Sequence, residues 1–461
     1  MLAMLLVRQS AASIPIPTAA QLAYQEQEIV ALTHFNMATF YRNGDPACDA
    51  SNWATSQLPS SFAPSNLNIS NWLESYHAAG AQSAILTAKH GCGFLLWPTN
   101  ITLPNGKNYG YHVGGSGGIG VDVVGEFAKT MTAAAMPHSF YYSLKDSYYL
   151  NAINDNVKDP TTLLPGMINA TQDQFEDVSV AAITELWTQY GALNEIWFDG
   201  GISERIKGRV VPLLQKLQPN AVTYGAGIEN DANEVDWIGT ETGEPNYPVW
   251  STGCNAPGAG GKGTIPDSSA SLKFCPKGAD VTLQSPDVWF WVPKTPIKSL
   301  ATLIEIYHDT VGANAVMEMD FAIDRTGNVD PTHALRYNEF GSWVASCYGA
   351  GTQLDRAVAT APWTLGSSLT LTVPGGGTSV VDRIAIMEDL SRGQRVTKYA
   401  VEASMDGTKW SAFASGTSIG HKRINVAKNG AAWEHFRLTI KGGVELPANV
   451  SLAVFAPCPK K

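Results

Sequence analysis

Residues 193–201 read LNEIWFDGG. A short, mostly apolar run that looks like a strand ends on Asp199, and two glycines then free the backbone to turn. Aspartate before glycine is common turn chemistry, so the residue alone says little. Its neighbours say more. Side chains alternate along a strand, so Trp197 and Asp199 share a face and an indole lies beside the carboxylate. A second acid, Glu241, stands at the end of another strand-like run, VDWIGTETG. His34, the pair Lys89 and His90, and the pair Tyr141 and Tyr142 end three more.

Two carboxylates from different strands, with an aromatic wall beside them, are the equipment of glycoside hydrolysis. Breaking a glycosidic bond builds positive charge on the sugar and negative charge on the leaving oxygen. One carboxylate must be ionised to meet the first, and the other must hold a proton for the second, so their surroundings must separate their pKa values. Asp199 is short and sits on a strand end, which suits a fixed nucleophile. Glu241 is longer and lies in polar sequence, which suits a group that gives a proton and later takes one. Glu244 is the alternative acid. In a retaining enzyme the two carboxyl groups lie about 5–5.5 Å apart. His34, His90 and Cys92 lack helical H-x-x-x-H spacing and clustered acids, so neither a metal nor a cofactor is expected. Lys89 is expected to pair with a barrel-interior acid such as Glu195.

The elements that must carry these residues alternate in kind. EIVALTHF, SAILTAKHGCGFLLW, PHSFYYSL, NEIWFDG, AVTYG, EVDWIGTE and NAVMEMDFAI read as strands. Between them NISNWLESYHAAG, VDVVGEFAKTMTAAAM, QFEDVSVAAITELWTQYG, ERIKGRVVPLLQKLQ and IKSLATLIEIYHDTVG show helical spacing of apolar residues, and DVWFWV supplies a further strand-like run after a long loop. Repeated units of this kind imply a parallel sheet, and their number over residues 22–345 suits a (β/α)8-type barrel. Catalytic groups of such a barrel sit at the C-terminal ends of its strands, where every candidate above lies. No G-x-G-x-x-G joins a strand to a helix, and GGSGGIG follows loop-like sequence, so dinucleotide binding is not expected. Residues 350–461 change character: short strands separated by Gly, Asn and Asp turns predict an all-β sandwich. Residues 1–21 form an N-terminal segment with a short apolar run and small residues, a possible signal remnant.

Composition narrows the partners. The chain has 461 residues, is 44% hydrophobic and carries a net charge of -10 without a basic run, which argues against nucleic acid and anionic membranes. No run of apolar residues is long enough for a transmembrane helix. The six cysteines form no CxxC pair, and Cys254 and Cys275, flanking a Gly/Ser/Pro-rich loop, are the pair expected to bridge. Sequons at Asn68, Asn100, Asn169 and Asn449 point towards a secreted or extracellular protein, with a vacuolar or lysosomal one as the alternative.

LTAKHGCGFLLWPT, SFYYSLKDS, NEIWFDGG, WIGTETG, FCPKGADVTLQSPDVWFW and DRTGNVDP, in that order, resemble the signatures of the α-L-fucosidases of glycoside hydrolase family 29. DRIAIMEDLSRGQRVTKYAVEA resembles the β-sandwich that follows the barrel in many members. The resemblance implies a retaining exo-α-L-fucosidase acting on fucosylated oligosaccharides or glycoproteins. It implies Asp199 as nucleophile and Glu241 as acid/base, with His34, His90, Tyr141 and Trp197 holding the sugar. Three positions depart from the family. Gly91 and Cys92 stand where relatives often read His-Asp, and Gly278 stands where many carry the glutamate of PAEAD. These departures motivate an alternative, a non-catalytic fucose- or carbohydrate-binding protein on the same scaffold. A glycosidase for a related sugar is the other.

Overall fold

The computed structural model describes residues 14–41, 47–103, 105–228, 231–254, 263, 265, 273–349, 357–373, 380–444 and 449–458. Eight parallel strands close into a barrel: β1 Ile29–His34, β2 Ser83–Lys89, β3 His138–Tyr142, β4 Glu195–Phe198, β5 Val222–Tyr224, β6 Glu234–Trp237, β7 Lys277–Val281 and β8 Ala315–Ala322. Neighbours in the chain are neighbours around the ring, and β8 closes on β1 with Leu32 opposite Asp320. All residues of β1, β2 and β8 are buried. That is why these strands read as almost unbroken apolar runs.

One set of side chains points into the barrel. Val30, Leu32, Ile85, Tyr141, Trp197, Val222, Tyr224, Val235 and Val316 form this inner cluster. The opposite set packs against the helices α3 Ile69–Ala79, α4 Val123–Ala133, α5 Gln172–Gln189, α6 Glu204–Leu217, α7 Leu300–Thr310 and α8 Pro331–Tyr348, which follow β1, β2, β3, β4, β7 and β8 (an extra short helix, α2 Ala50–Ser56, precedes α3). Among the described residues no helix separates β5, β6 and β7. Capping residues fix the helix starts. The Asn68 side chain accepts from Asn71 N at α3, and Thr171 and Gln174 make a reciprocal capping box at α5.

The seventh strand differs from expectation. DVWFWV, at 287–292, belongs to no strand, and β7 lies earlier, at Lys277–Val281. Its charged residues are buried because each has a partner: Lys277 Nζ meets Asp236 Oδ2 at 2.7 Å, and Trp237 Nε1 donates to Asp280 Oδ1 at 2.7 Å.

Helix α1, Ala19–Gln27, begins inside the segment 1–21 and closes the N-terminal end of the barrel. Gln21 Nε2 donates to the carbonyls of Glu234 and Phe274, and Tyr24 reaches the interior of the barrel. At the other boundary α8 runs to Tyr348, past residue 345. The C-terminal unit has two four-stranded antiparallel sheets. One contains β9 Ala357–Ala361, β16 Val450–Phe455, β11 Val380–Glu388 and β14 Arg423–Ala432. The other contains β10 Ser368–Thr372, β15 His435–Gly443, β12 Val396–Ser404 and β13 Ser411–Gly416. Val381, Ile384, Tyr399, Phe436 and Leu452 are among the side chains of the core between them.

The sandwich docks at the N-terminal ends of β1 and β8. Glu28, just before β1, accepts from His421 Nε2 at 3.0 Å and pairs with Lys422. Asn314, just before β8, accepts from His421 N at 2.7 Å. Cys347 of α8 is bonded to Cys458, Cys254 to Cys275 as expected, and Cys48 to Cys92.

Candidate active site

Strand ends build one concave site at the C-terminal mouth of the barrel. Asp199 follows β4, and the turn beyond it needs φ of +70° at Gly200 and +78° at Gly201, a region that glycine enters without the steric cost of a Cβ. Asp199 and Glu241 line the same cavity of about 320 Å³, together with Trp197, Tyr224, Trp237 and Asp280. Asp199 is half-buried and Glu241 exposed at the rim.

Each acid is tethered by an aromatic side chain. The Tyr141 hydroxyl donates to Asp199 Oδ2, and Trp289 Nε1 donates to Glu241 Oε2 at 3.1 Å. Rings connect the two tethers. His90 stacks on Tyr141 at 5.7 Å, its ring centroid is 6.5 Å from that of His34, and His34 lies 4.9 Å from Trp289. On the other side Tyr141 stacks on Trp197 at 5.2 Å, and Trp197 stacks on Tyr224 at 4.5 Å. Of the six residues singled out from the sequence, Trp197, Asp199 and Glu241 line the cavity, whereas His34, His90 and Tyr141 do not and join the acids through these ring contacts and the Tyr141 hydroxyl. Glu244, the alternative acid, is exposed and does not line the cavity.

Charge is distributed unevenly around the cleft. Burial lowers the pKa of His34 well below the usual imidazole value, helped by His90. Its partner Asp320, 2.8 Å from Nδ1, is pushed well above the carboxylate range by burial. The contact between them fixes the ring's orientation. Burial lowers His90 as well, against the pull of Asp199. Asp280, buried beneath Trp237, is raised well above its ordinary value by burial. Asp280 lines the same cavity as the half-buried Asp199.

Lys89 departs from expectation. Its ammonium donates to the backbone carbonyls of Ser143, at 2.5 Å, and Asp146, and lies over the Tyr142 ring. Glu195 instead faces Glu318 of β8. Burial brings Lys89 down to about 7, with Asp146 and Asp199 opposing the shift. Its structural task is to hold the loop after β3, next to Tyr141.

Tyr224, Trp237, Asp280, Trp289, Glu318 and Asp320 were missed from the sequence. A period-two signal existed for two of them: Glu318 and Asp320 alternate with methionines in AVMEMDFA, which puts both on one face of an otherwise apolar strand. The departure at Gly278 has a packing cause. A Cβ there would lie 2.2 Å from Tyr224 Cε2 and 2.4 Å from the Tyr24 hydroxyl oxygen. The space that a side chain would need is filled by two tyrosines. At Gly91 a Cβ would meet nothing closer than Asp146 Cβ at 4.0 Å, and Cys92 is taken up by its bond to Cys48. Among the described residues no group of three or more His, Cys, Asp or Glu side chains could hold a metal ion.

Comparison with known proteins agrees with this architecture. The family model described as alpha-L-fucosidase matches residues 25–349. Alpha-L-fucosidase 1 of Arabidopsis thaliana is 25% identical over 450 residues, covering 89% of this chain and 81% of its own length. A solved structure from Bacteroides thetaiotaomicron, described as a "putative alpha-L-fucosidase", superposes with a TM-score of 0.80 at 27% identity, covering 96% of this chain and 100% of its own. A Ruminococcus gnavus glycoside hydrolase family 29 fucosidase in complex with fucose shares the fold, with a TM-score of 0.75 at 20% identity over 98% of this chain and 97% of its own.

Proposed function

The chain belongs to the α-L-fucosidase family, glycoside hydrolase family 29, and from that premise we propose that it removes terminal α-L-fucose from glycans or glycoconjugates with retention at the anomeric carbon. The observation that carries this reading is the shared cavity of Asp199 and Glu241, with an aromatic tether on each acid. In the first step an Asp199 oxygen bonds to the anomeric carbon, the bond from that carbon to the leaving oxygen breaks, and protonated Glu241 gives its proton to that oxygen. In the second, Glu241 takes a proton from water as the water oxygen attacks the same carbon, and Asp199 leaves as carboxylate. Trp197 offers an apolar wall, and His34, His90 and Tyr141 offer polar atoms for sugar hydroxyls.

The test is Asp199→Ala with an aryl α-L-fucoside. Release of the aryl group should fall to background, and azide should restore part of it by standing in for the missing carboxylate. Unchanged turnover in that variant sinks the assignment. Secretion is part of the same proposal. It is supported by three disulfides, which persist in oxidising compartments, and by the exposure of all four sequon asparagines, Asn68, Asn100, Asn169 and Asn449.

A further inference from the structure

Beneath the sugar-facing residues lies a cluster that the reaction scheme above does not use. Glu195 of β4 and Glu318 of β8 are both fully buried and face each other inside the barrel. Glu318 is the better provided. Its Oε1 accepts from the Tyr24 hydroxyl at 2.7 Å, and its Oε2 accepts from Trp197 Nε1 at 2.8 Å. Glu195 has no donor aimed at either oxygen in the described structure and interacts with Glu318 alone among acids. The other titratable groups around the pair are Tyr24 of α1, Tyr224 of β5 and Asp280 of β7.

Stacking cannot fix Trp197 by itself. Its indole lies between Tyr141, at an interplanar angle of 21°, and Tyr224, at 13°. Near-parallel rings resist tilting, but they leave sliding and rotation within the plane almost free. The single indole N–H supplies the missing constraint, and it is bound to Glu318. Tyr141, stacked on the same indole, donates to Asp199.

We propose that Glu318, braced by Tyr24 from the closing helix and by Glu195 across the barrel, is the positioning residue that sets Trp197 in its plane and, through Tyr141, the orientation of Asp199. Two buried carboxyl groups facing each other cannot both ionise, so at least one proton stays between them. The donors converge on Glu318, so the charge rests there and the proton on Glu195. The two acids are therefore not interchangeable. A glutamine at 195 can donate as the protonated acid does, whereas a residue at 318 without carboxylate oxygens cannot accept from Trp197 and Tyr24 together.

The proposal rests on the fucosidase reading only for its effect on turnover, so its test has two readouts. The protein is labelled with [15N]tryptophan, and the Trp197 indole resonance is assigned with Trp197→Phe. In Glu318→Met that resonance should move to the position of an unbonded indole. In Glu195→Gln it should stay within the wild-type envelope. The folded Glu318→Met enzyme should lose roughly tenfold or more in kcat/KM on an aryl α-L-fucoside, because displacements of about 1 Å near reacting groups cost up to 10²-fold. If Glu318→Met does not fold, Glu318→Gln keeps the shape and should still shift the resonance, because a neutral amide replaces the carboxylate. A Trp197 resonance unmoved by substitution at 318, or moved equally by Glu195→Gln, overturns the proposal. A wild-type chain that leaves every aryl fucoside intact overturns the fucosidase reading instead, and the resonances still decide the role of Glu318.

Discussion

Gly278→Ala is a small change with a large expected effect. Glycine to alanine in a strand ordinarily helps, by about 0.4–1 kcal/mol, because the unfolded chain loses freedom. Gly278 is in β7 with no left-handed φ, so the backbone raises no objection. Packing does. The new methyl would stand 2.2 Å from the Tyr224 ring and 2.4 Å from the Tyr24 oxygen. Carbon contacts settle at about 3.5–4.0 Å, so each neighbour must retreat by more than an ångström. Neither is free to do so: Tyr224 is stacked on Trp197, and Tyr24 is bound to Glu318. Overpacking of this kind costs about 1–3 kcal/mol. The net loss is then about 1–2 kcal/mol, or some 2–8 °C in Tm at about 2–4 °C per kcal/mol for a large domain. Differential scanning calorimetry measures it directly, and turnover of an aryl α-L-fucoside should fall alongside. Tyr224→Leu in the same chain should remove part of the penalty and leave the part due to Tyr24, giving a coupling of about 0.5–3 kcal/mol between the two positions. An alanine variant as stable as wild type, or a penalty that Tyr224→Leu leaves undiminished, would show that the space at Gly278 is not held as described.

Three further outcomes are expected. Glu241→Ala should slow hydrolysis of fucosides with poor leaving groups far more than those with good ones, and an equal loss for both would point to another acid. Tyr141→Phe removes the hydroxyl donated to Asp199; a hydrogen bond to a charged group is worth about 1.5–3 kcal/mol, so kcat/KM should drop roughly 10- to 100-fold, and a change under twofold would mean that Asp199 does not depend on it. At Glu28, burial alone would raise the carboxyl, but the bond from His421 and the Lys422 ammonium outweigh it and bring it to about 2 from the ordinary 4.5. A depressed carboxyl stabilises the folded state above its unfolded value, and that stability disappears as pH falls from about 4.5 to about 2. Denaturant unfolding should therefore find Glu28→Gln weaker than wild type by about 3 kcal/mol near neutrality, with the gap closing over that window; a gap independent of pH would exclude the linkage.

How far the chain could be read without coordinates varied with the kind of burial. Strands β1, β2 and β8 are buried on both sides and display it as apolar runs, so the barrel was legible. β7 was not. KGADV looks like loop sequence because Lys277 and Asp280 carry charge, and only Asp236 and Trp237, from the neighbouring strand, make their burial possible. DVWFWV misled in the opposite sense: its aromatics serve the mouth, where Trp289 reaches Glu241 and His34. Asp199 follows its strand directly, as its sequence suggests, whereas Glu241 lies in a turn four residues beyond the end of β6; the aromatic tethers of both acids join positions far apart in the chain, a relation that no local pattern records. The same holds for the cysteines. The pair 21 residues apart flanks one loop and was expected, while the pairs 44 and 111 residues apart depend on the closed fold.

The docking of the sandwich has a mechanical corollary. It grips the chain just before β1 and β8, and the far ends of these two strands carry His34 and Asp320. A strand is stiff along its axis, and six residues span only about 20 Å. The seam and the pair that orients the imidazole thus lie towards opposite ends of the same two neighbouring strands. Exchanging the sandwich for a foreign module would require reproducing that grip as well as covering the exposed surface.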